Sequence, residues 1–484
     1  MGLQRGASPE GRKWRVLASI GVGTFMSALD GSVVNTLLPV MRRALHTGVA
    51  EIEWVVTIYL LVVSGVLLGF GRLGDLRGHK DVYLVGFVGF VVSSALCGLA
   101  PSARFLVLFR AVQALAAAML FANAPAILTK TFPPEQRGQA LGLQATMTYL
   151  GLSTGPSLGG FLAQHLGWQS VFFINVPVGA LGVFLCAKNI ARDRPEGRPP
   201  PFDLAGAALF FAGLFALLLA LNQGHSWGWS APSTVGLFSC AVLVLAAFLA
   251  IERRRAHPML DLSLFRKTAF SASAYSAMVS YVASYSILFL LPFYLIQARG
   301  LAADRAGLIL TSQPLVMMTV APLSGTLSDR FGSRRPAALG MLVLSAGLFW
   351  LSTTGASTPL GLVVCGLALC GLGFGTFVAP NNSRLLGAAP LHRQGIASGV
   401  LAAARNVGMV LGVGLAGAVY TTVLARLGPS AIPEAVSRGL KLAGALTATA
   451  VVTASLGAAN PGSEASRAPP GEPAPGDSRR GASL

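Results

Sequence analysis

The chain has 484 residues, of which 53% are hydrophobic and 11% charged, with a formal net charge of +18. A water-soluble protein carries about 25% charged residues, and the mean hydropathy here is +0.65, so a soluble domain built on one apolar core is excluded. The basic excess does not mark a nucleic-acid binder, because it gathers at the ends of apolar runs, as cytoplasmic loops of membrane proteins do.

Residues 1–15, with Arg5, Arg12, Lys13 and Arg15, read as an inner segment. The apolar run that follows is too long for a cleaved leader and holds Asp30, so it reads as a first span. Apolar runs of about 20 residues cross a bilayer as helices. Fourteen are expected, over 16–40, 54–71, 82–100, 105–128, 139–163, 170–187, 204–222, 233–251, 270–296, 305–327, 336–354, 359–380, 395–424 and 440–457. With both termini in the cytoplasm, 26 Lys and Arg fall in inner segments and eight in outer ones. Arg110 and Arg405 lie inside spans, which accounts for all 36. That bias favours an even number of spans in a cell membrane with both ends inside.

Two motifs recur. Gly71-Arg-Leu-Gly-Asp75-Leu-Arg-Gly78-His-Lys80 returns as Gly325-Thr-Leu-Ser-Asp329-Arg330-Phe-Gly332, 254 positions later. Arg137-Gly-Gln-Ala-Leu-Gly142 returns as Gln394-Gly-Ile-Ala-Ser-Gly399, 257 positions later. Two motifs at nearly one offset imply duplicated halves, one design known for transporters. The expected organisation is a six-helix bundle over 16–190, inner linkers with two additional helices over 191–267, a second six-helix bundle over 268–457, and a disordered inner tail over 458–484.

Asp30 is the one carboxylate deep in an apolar run. An ionisable group there costs about 2.5–3.5 kcal/mol on insertion scales, which makes it a functional candidate by default. Its depth is about 22 Å above the inner end of its span, and Arg110 lies about 9 Å below the outer end of the fourth, at 1.5 Å per residue. Both fall in the outer half and are placed to pair, with Gln113 one turn from Arg110. Protonating Asp30 discharges such a pair, and a cationic ligand competes for the carboxylate; a permanent salt bridge is the structural alternative. Gly151, Gly155 and Gly159, beside Pro156 and Gly160, give the fifth span a smooth face. Pro156 lacks an N–H and frees the carbonyl of Leu152. A hinge or seal between the halves is expected there. The Asp75 and Asp329 loops, with Gly71, Gly78, Lys80 and Arg330, are expected to latch helix ends. Asn35, Asn123, Tyr149, Arg405 and Asn406 are candidates for a cavity lining, as are Tyr275, Tyr281 and Tyr285. No phosphate-binding Gly-Lys-Ser/Thr loop, metal-ligand spacing or nucleophile–base set is visible, so no cofactor is expected and uphill work falls to an ion gradient. The five cysteines offer no CxxC pair.

As a set these residues resemble the major facilitator superfamily. They are most similar to its fourteen-span drug:proton antiporters, the quaternary-ammonium and multidrug exporters. Leu29-Asp30-Gly-Ser-Val-Val-Asn35 with Leu38-Pro39 matches the branch's first-span motif, and Gly71–Lys80 the superfamily's loop motif. Arg110-Ala-Val-Gln113 matches its fourth-span motif and Gly151–Gly160 the antiporter motif. Trp168 with Phe172-Phe-Ile-Asn-Val-Pro-Val-Gly179 is typical of the branch. Leu76 stands where the loop motif has Arg, and Ala114 where the fourth-span motif has Gly. The resemblance implies alternating access by two rocking bundles, with Asp30 exchanging protons and Arg110 assisting. The expected function is export of amphipathic, often cationic compounds against protons, by a monomer in a lipid bilayer. A dedicated exporter of one metabolite or antibiotic is the nearest alternative; a non-transporting receptor and a membrane enzyme fit less well.

Overall fold

The structure, a computed structural model, describes residues 9–455 apart from 48, 194–201, 256, 257, 259, 302 and 356. The expected tail over 458–484, most of the Arg- and Pro-rich linker and the first eight residues lie outside the described residues. Backbone amides and carbonyls in hydrocarbon must pair within their own segment, which leaves helices as the economical solution for this sequence. The helices are α1 (Pro9–Ala44), α2 (Val49–Arg77), α3 (His79–Gly98), α4 (Ala103–Thr131), α5 (Arg137–Leu166), α6 (Ser170–Phe173), α7 (Asn175–Asn189), α8 (Leu204–Trp227), α9 (Pro232–Glu252), α10 (Thr268–Pro292), α11 (Ala303–Phe331), α12 (Arg334–Ser352), α13 (Leu360–Gly387), α14 (Gln394–Leu427) and α15 (Ile432–Ser455).

Each predicted run falls on one of these helices, the sixth on α6 and α7 together. Among the described residues, thirteen helices are long and apolar enough to cross a membrane. The run absent from that set is α5, which has 30 residues but is rich in Gly, Ser, Thr and Gln. It packs against α1 on one side and α11 on the other.

The duplication expected from the two motifs appears in the packing. Within the first bundle α1 packs on α5 and α7, α2 on α4, and α3 on α4 and α7. Within the second, α10 packs on α14 and α15, α11 on α13, and α12 on α13 and α15. The bundles meet along two seams, α5 with α11 and α2 with α14. The additional helices form a hairpin. From it, α8 sets Leu214, Leu218 and Leu221 against Leu61 of α2 and Val407 and Leu411 of α14, so the hairpin covers one seam.

The glycine face of α5 does not seal the two halves against each other. It meets α1, inside the first bundle. A Cβ on Gly151 would lie 2.7 Å from the Phe25 carbonyl, one on Gly155 2.5 Å from Ser32 Oγ, and one on Gly159 2.7 Å from Val33 Cγ1. These contacts bracket Asp30 along α1. Ser32 Oγ donates to the Leu152 carbonyl at 2.8 Å, the acceptor that Pro156 releases. Gly160 has nothing within 4 Å. The close approach between halves uses other glycines, Gly71 against Gly395 and Gly325 against Gly138.

Gly151→Ala therefore forces α5 off the α1 backbone and lowers stability by about 1–3 kcal/mol, the usual cost of overpacking. Gly160→Ala stays within about 0.5 kcal/mol of the parent. Thermal melts of the two detergent-purified variants check the contrast, and equal melting shifts would refute it.

Candidate functional site

Asp30 lies just beyond the middle of α1, 2% exposed. Arg110 of α4 donates from Nη1 to Asp30 Oδ2 at 2.7 Å. Gln113, one turn on, donates from Nε2 to Asp30 Oδ1 at 3.2 Å, while its Oε1 accepts from Arg110 Nη1 at 2.8 Å. Asn175 donates to Asp30 Oδ1 at 3.0 Å and to Ser94 Oγ at 2.9 Å. Arg110 Nε donates to the Val55 carbonyl at 3.3 Å, and its guanidinium carbon sits 4.2 Å from the Tyr59 ring centroid. The pair expected from helix depth is thus formed. It is enclosed by residues of α1, α2, α3, α4 and α7. A buried ion pair is tolerable only where other groups share its lone pairs and protons; here both carboxylate oxygens accept bonds, and Arg110 Nε and Nη1 donate them.

Asn175 and Tyr59 had no place in the sequence reading of the site. Asn175 opens α7 after the four-residue α6, where the chain breaks before Pro177. The Asn-Val-Pro step was the available signal, since such a step starts a new helix. Nothing in the sequence distinguishes Tyr59 from other span aromatics.

A second assembly joins the bundles at one end. Asp75, in the last turn of α2, accepts from Gly395 N at 2.8 Å and Ile396 N at 3.0 Å. Asp329, in the last turn of α11, accepts from Gly138 N and Gln139 N, both at 2.8 Å. The recipients are the second and third residues of α14 and α5, whose own N-cap residues Arg393 and Gln136 supply no capping side chain. Each half therefore caps a helix of the other, with a negative charge at a positive helix end. The two motif repeats meet crosswise in these contacts.

Gly78 and Gly332 hold φ of +99° and +83° in the two copies, a backbone that glycine adopts without strain. Lys80 ties down its own half, donating to the Ala187 carbonyl at 2.8 Å, while Asp193 caps α3 by accepting from His79 N and Lys80 N at 3.1 Å each. Arg330 is exposed and has no latch partner among the described residues of that copy. Asn123 belongs to this latch rather than to a cavity. Its Nδ2 donates to the Phe70 and Met119 carbonyls, which turns its Oδ1 onto His79 Nδ1 at 2.7 Å. His79 Nδ1 is then the donor, and Nε2 faces Asp75 Oδ1 at 3.3 Å.

Between the bundles lies a cavity of about 100 Å³. Tyr149 and Arg405 line it, with Ser27, Phe121, Gln144 and Tyr281 among others. Asn35 is exposed near the far end of α1, and Asn406 is buried with Nδ2 unpartnered among the described residues. Tyr275 bonds Thr449 at 2.7 Å instead. Asp30 is not in the lining, because its donors close it off.

Arg110→Gln leaves a buried carboxylate with no cation and costs about 3–5 kcal/mol. Adding Asp30→Asn restores much of that loss, so a double-mutant cycle read by thermal unfolding returns a large coupling; additive losses would refute the pair. Asp329→Ala removes the cap of α5 and weakens latch closure by about 1 kcal/mol, or about fivefold. Thiol labelling of a cysteine placed at Gln144, in a background without native cysteines, rises accordingly from the latch end. Unchanged labelling would count against the latch.

Residues 20–413 match the model of the Major Facilitator Superfamily. The tetracenomycin C resistance and export protein of Streptomyces glaucescens is 33% identical over 425 residues, covering 88% of this chain and 79% of that one. The multidrug resistance protein Stp of Mycobacterium tuberculosis is 34% identical over 427 residues, covering 87% of this chain and 79% of that one. The solved structure of the proton:xylose symporter XylE shares the fold, with a TM-score of 0.64 at 13% identity, over 92% of this chain and 95% of that one. With its duplicated bundles, its crossed helix caps and a family match over most of its length, the chain belongs to the Major Facilitator Superfamily, as an integral membrane transporter and not an enzyme.

Proposed function

We propose that this transporter is a proton-coupled multidrug exporter of amphipathic compounds, working by alternating access. The observation that carries the reading is the sealed Asp30 cluster. A carboxylate held by one cation and two amides has two self-consistent states. Ionised, it accepts from all three. Protonated, it loses a charge, leaves Arg110 without a counter-ion, and needs an acceptor for its own O–H. Gln113 Oε1, now turned to Arg110, lies within the same cluster. Each exchange of a proton therefore changes the bonding between α1, α4 and α7. The glycine face of α5 rests on α1 across the Asp30 segment, so such a change reaches the helix whose N-terminus Asp329 caps.

The motifs of the fourteen-span drug:proton antiporters support placing the chain in that branch, with α5 counted as the fourteenth span. In this reading the chain is a monomer in the cell membrane with both termini cytoplasmic and the latch end inward. The bundles are 16–190 and 268–457, and Asp75 and Asp329 hold the inner gate shut. Moving one charge through the membrane field is worth about 2.3 kcal/mol per 100 mV, which supplies the work. A second reading is a dedicated exporter of one antibiotic, which the name of the Streptomyces glaucescens relative supports. A susceptibility panel in an efflux-deficient host separates them, since broad resistance favours the first and resistance to one compound the second.

In proteoliposomes with an imposed pH gradient, Asp30→Asn is expected to abolish uphill export while leaving downhill exchange measurable. Undiminished uphill export by that variant would remove Asp30 from the coupling role.

A further inference from the structure

We infer that the central cavity selects anionic, multi-ring aromatic compounds, with Arg405 as the recognising charge. This rests on the export reading and adds the substrate class to it. Among the lining residues Arg405 is charged and no Asp or Glu is present. No described carboxylate forms an ion pair with Arg405, and its Nε is buried without a hydrogen-bond partner. What holds the guanidinium is soft: the Phe121 ring, with its centroid 5.2 Å away, while Tyr281 shares the same lining. A partly desolvated cation without a counter-ion is costly, and a ligand anion supplies what is missing.

The carboxylate that was expected to meet a cationic ligand cannot do so here. Asp30 already accepts from Arg110, Gln113 and Asn175, and its side chain is fully enclosed. A cation entering the cavity would face Arg405 with no acid within the lining. The remaining walls suit flat rings. Phe121, Tyr149 and Tyr281 present aromatic surface, with Phe374 set edge-on behind the two tyrosines at 6.5 and 5.2 Å. The charge belongs to one half alone, since Thr148 stands at the matching repeat position and also lines the cavity. An apolar cavity of roughly 150 Å³ holds one benzene ring, and drug-sized ligands need about 300–1,000 Å³. The present 100 Å³ is smaller than either, so binding such a compound requires the cavity to widen.

Fluorescein and rhodamine 123 share a xanthene ring system and carry opposite charge at neutral pH, which makes them a matched pair. Fluorescence anisotropy on the detergent-purified full chain is expected to give about tenfold tighter binding of fluorescein, the size of one favourable charge pair. Arg405→Gln erases the preference, and Arg405→Lys retains it. Preference for rhodamine 123, equal affinity, binding of neither dye, or a preference that survives Arg405→Gln would each overturn the proposal. The wild-type comparison decides the matter even where a variant fails to fold. Binding is read without a gradient, so its failure leaves the Asp30 coupling test standing on its own.

Discussion

A carboxylate can remain ionised inside an apolar bundle only when fixed groups replace the water it has lost. Asp30 is placed under that constraint by its position in α1, and much of the first bundle answers it. Arg110 supplies the charge, Gln113 and Asn175 supply amide donors, and Val55 and Tyr59 hold Arg110 in turn. The glycines of α5 bring a second helix against α1 at the same level. The cluster is therefore a point where protonation of one carboxylate would alter the bonding between α1, α4 and α7.

The two halves are held by a different device of the same physics. Helix N-termini leave amide donors unsatisfied, and α5 and α14 both begin without a capping side chain of their own. Each takes its cap from the other half, through Asp329 and Asp75. Glycines at the crossing points let the backbones come close enough for these bonds. A cap contributes about 1 kcal/mol, strong enough to bias a conformation and weak enough to release. The hairpin of α8 and α9 covers the α2–α14 seam and leaves the α5–α11 seam without it.

Between these two assemblies lies a cavity whose charge is opposite to that of Asp30. In the proposed reading the proton site, Asp30, and the ligand-facing charge, Arg405, are separate groups, since Asp30 is absent from the cavity lining. Under that reading, separation would allow a proton to be exchanged without requiring that the substrate be a cation.

The apolar runs, the basic bias and the repeat offsets determined the helical membrane architecture and its duplication, because hydrocarbon imposes length and polarity on each segment independently. Helix depth alone paired Asp30 with Arg110, since rise per residue is a local property. The latch residues Asp75 and Asp329 were also legible, as a repeated motif. Their partners were not, because a backbone N–H leaves no mark in a side-chain pattern. The glycine string of α5 was legible as a packing face, yet whether it met α1 or the opposite half depended on helix rotation about its axis. Asn123 moved from a supposed cavity to the latch for the same reason. Asn175 became a ligand of Asp30 only through the break between α6 and α7. Rotation, breaks and the meeting of distant backbones are settled by packing of all the helices together, and that is what the tertiary structure alone decided.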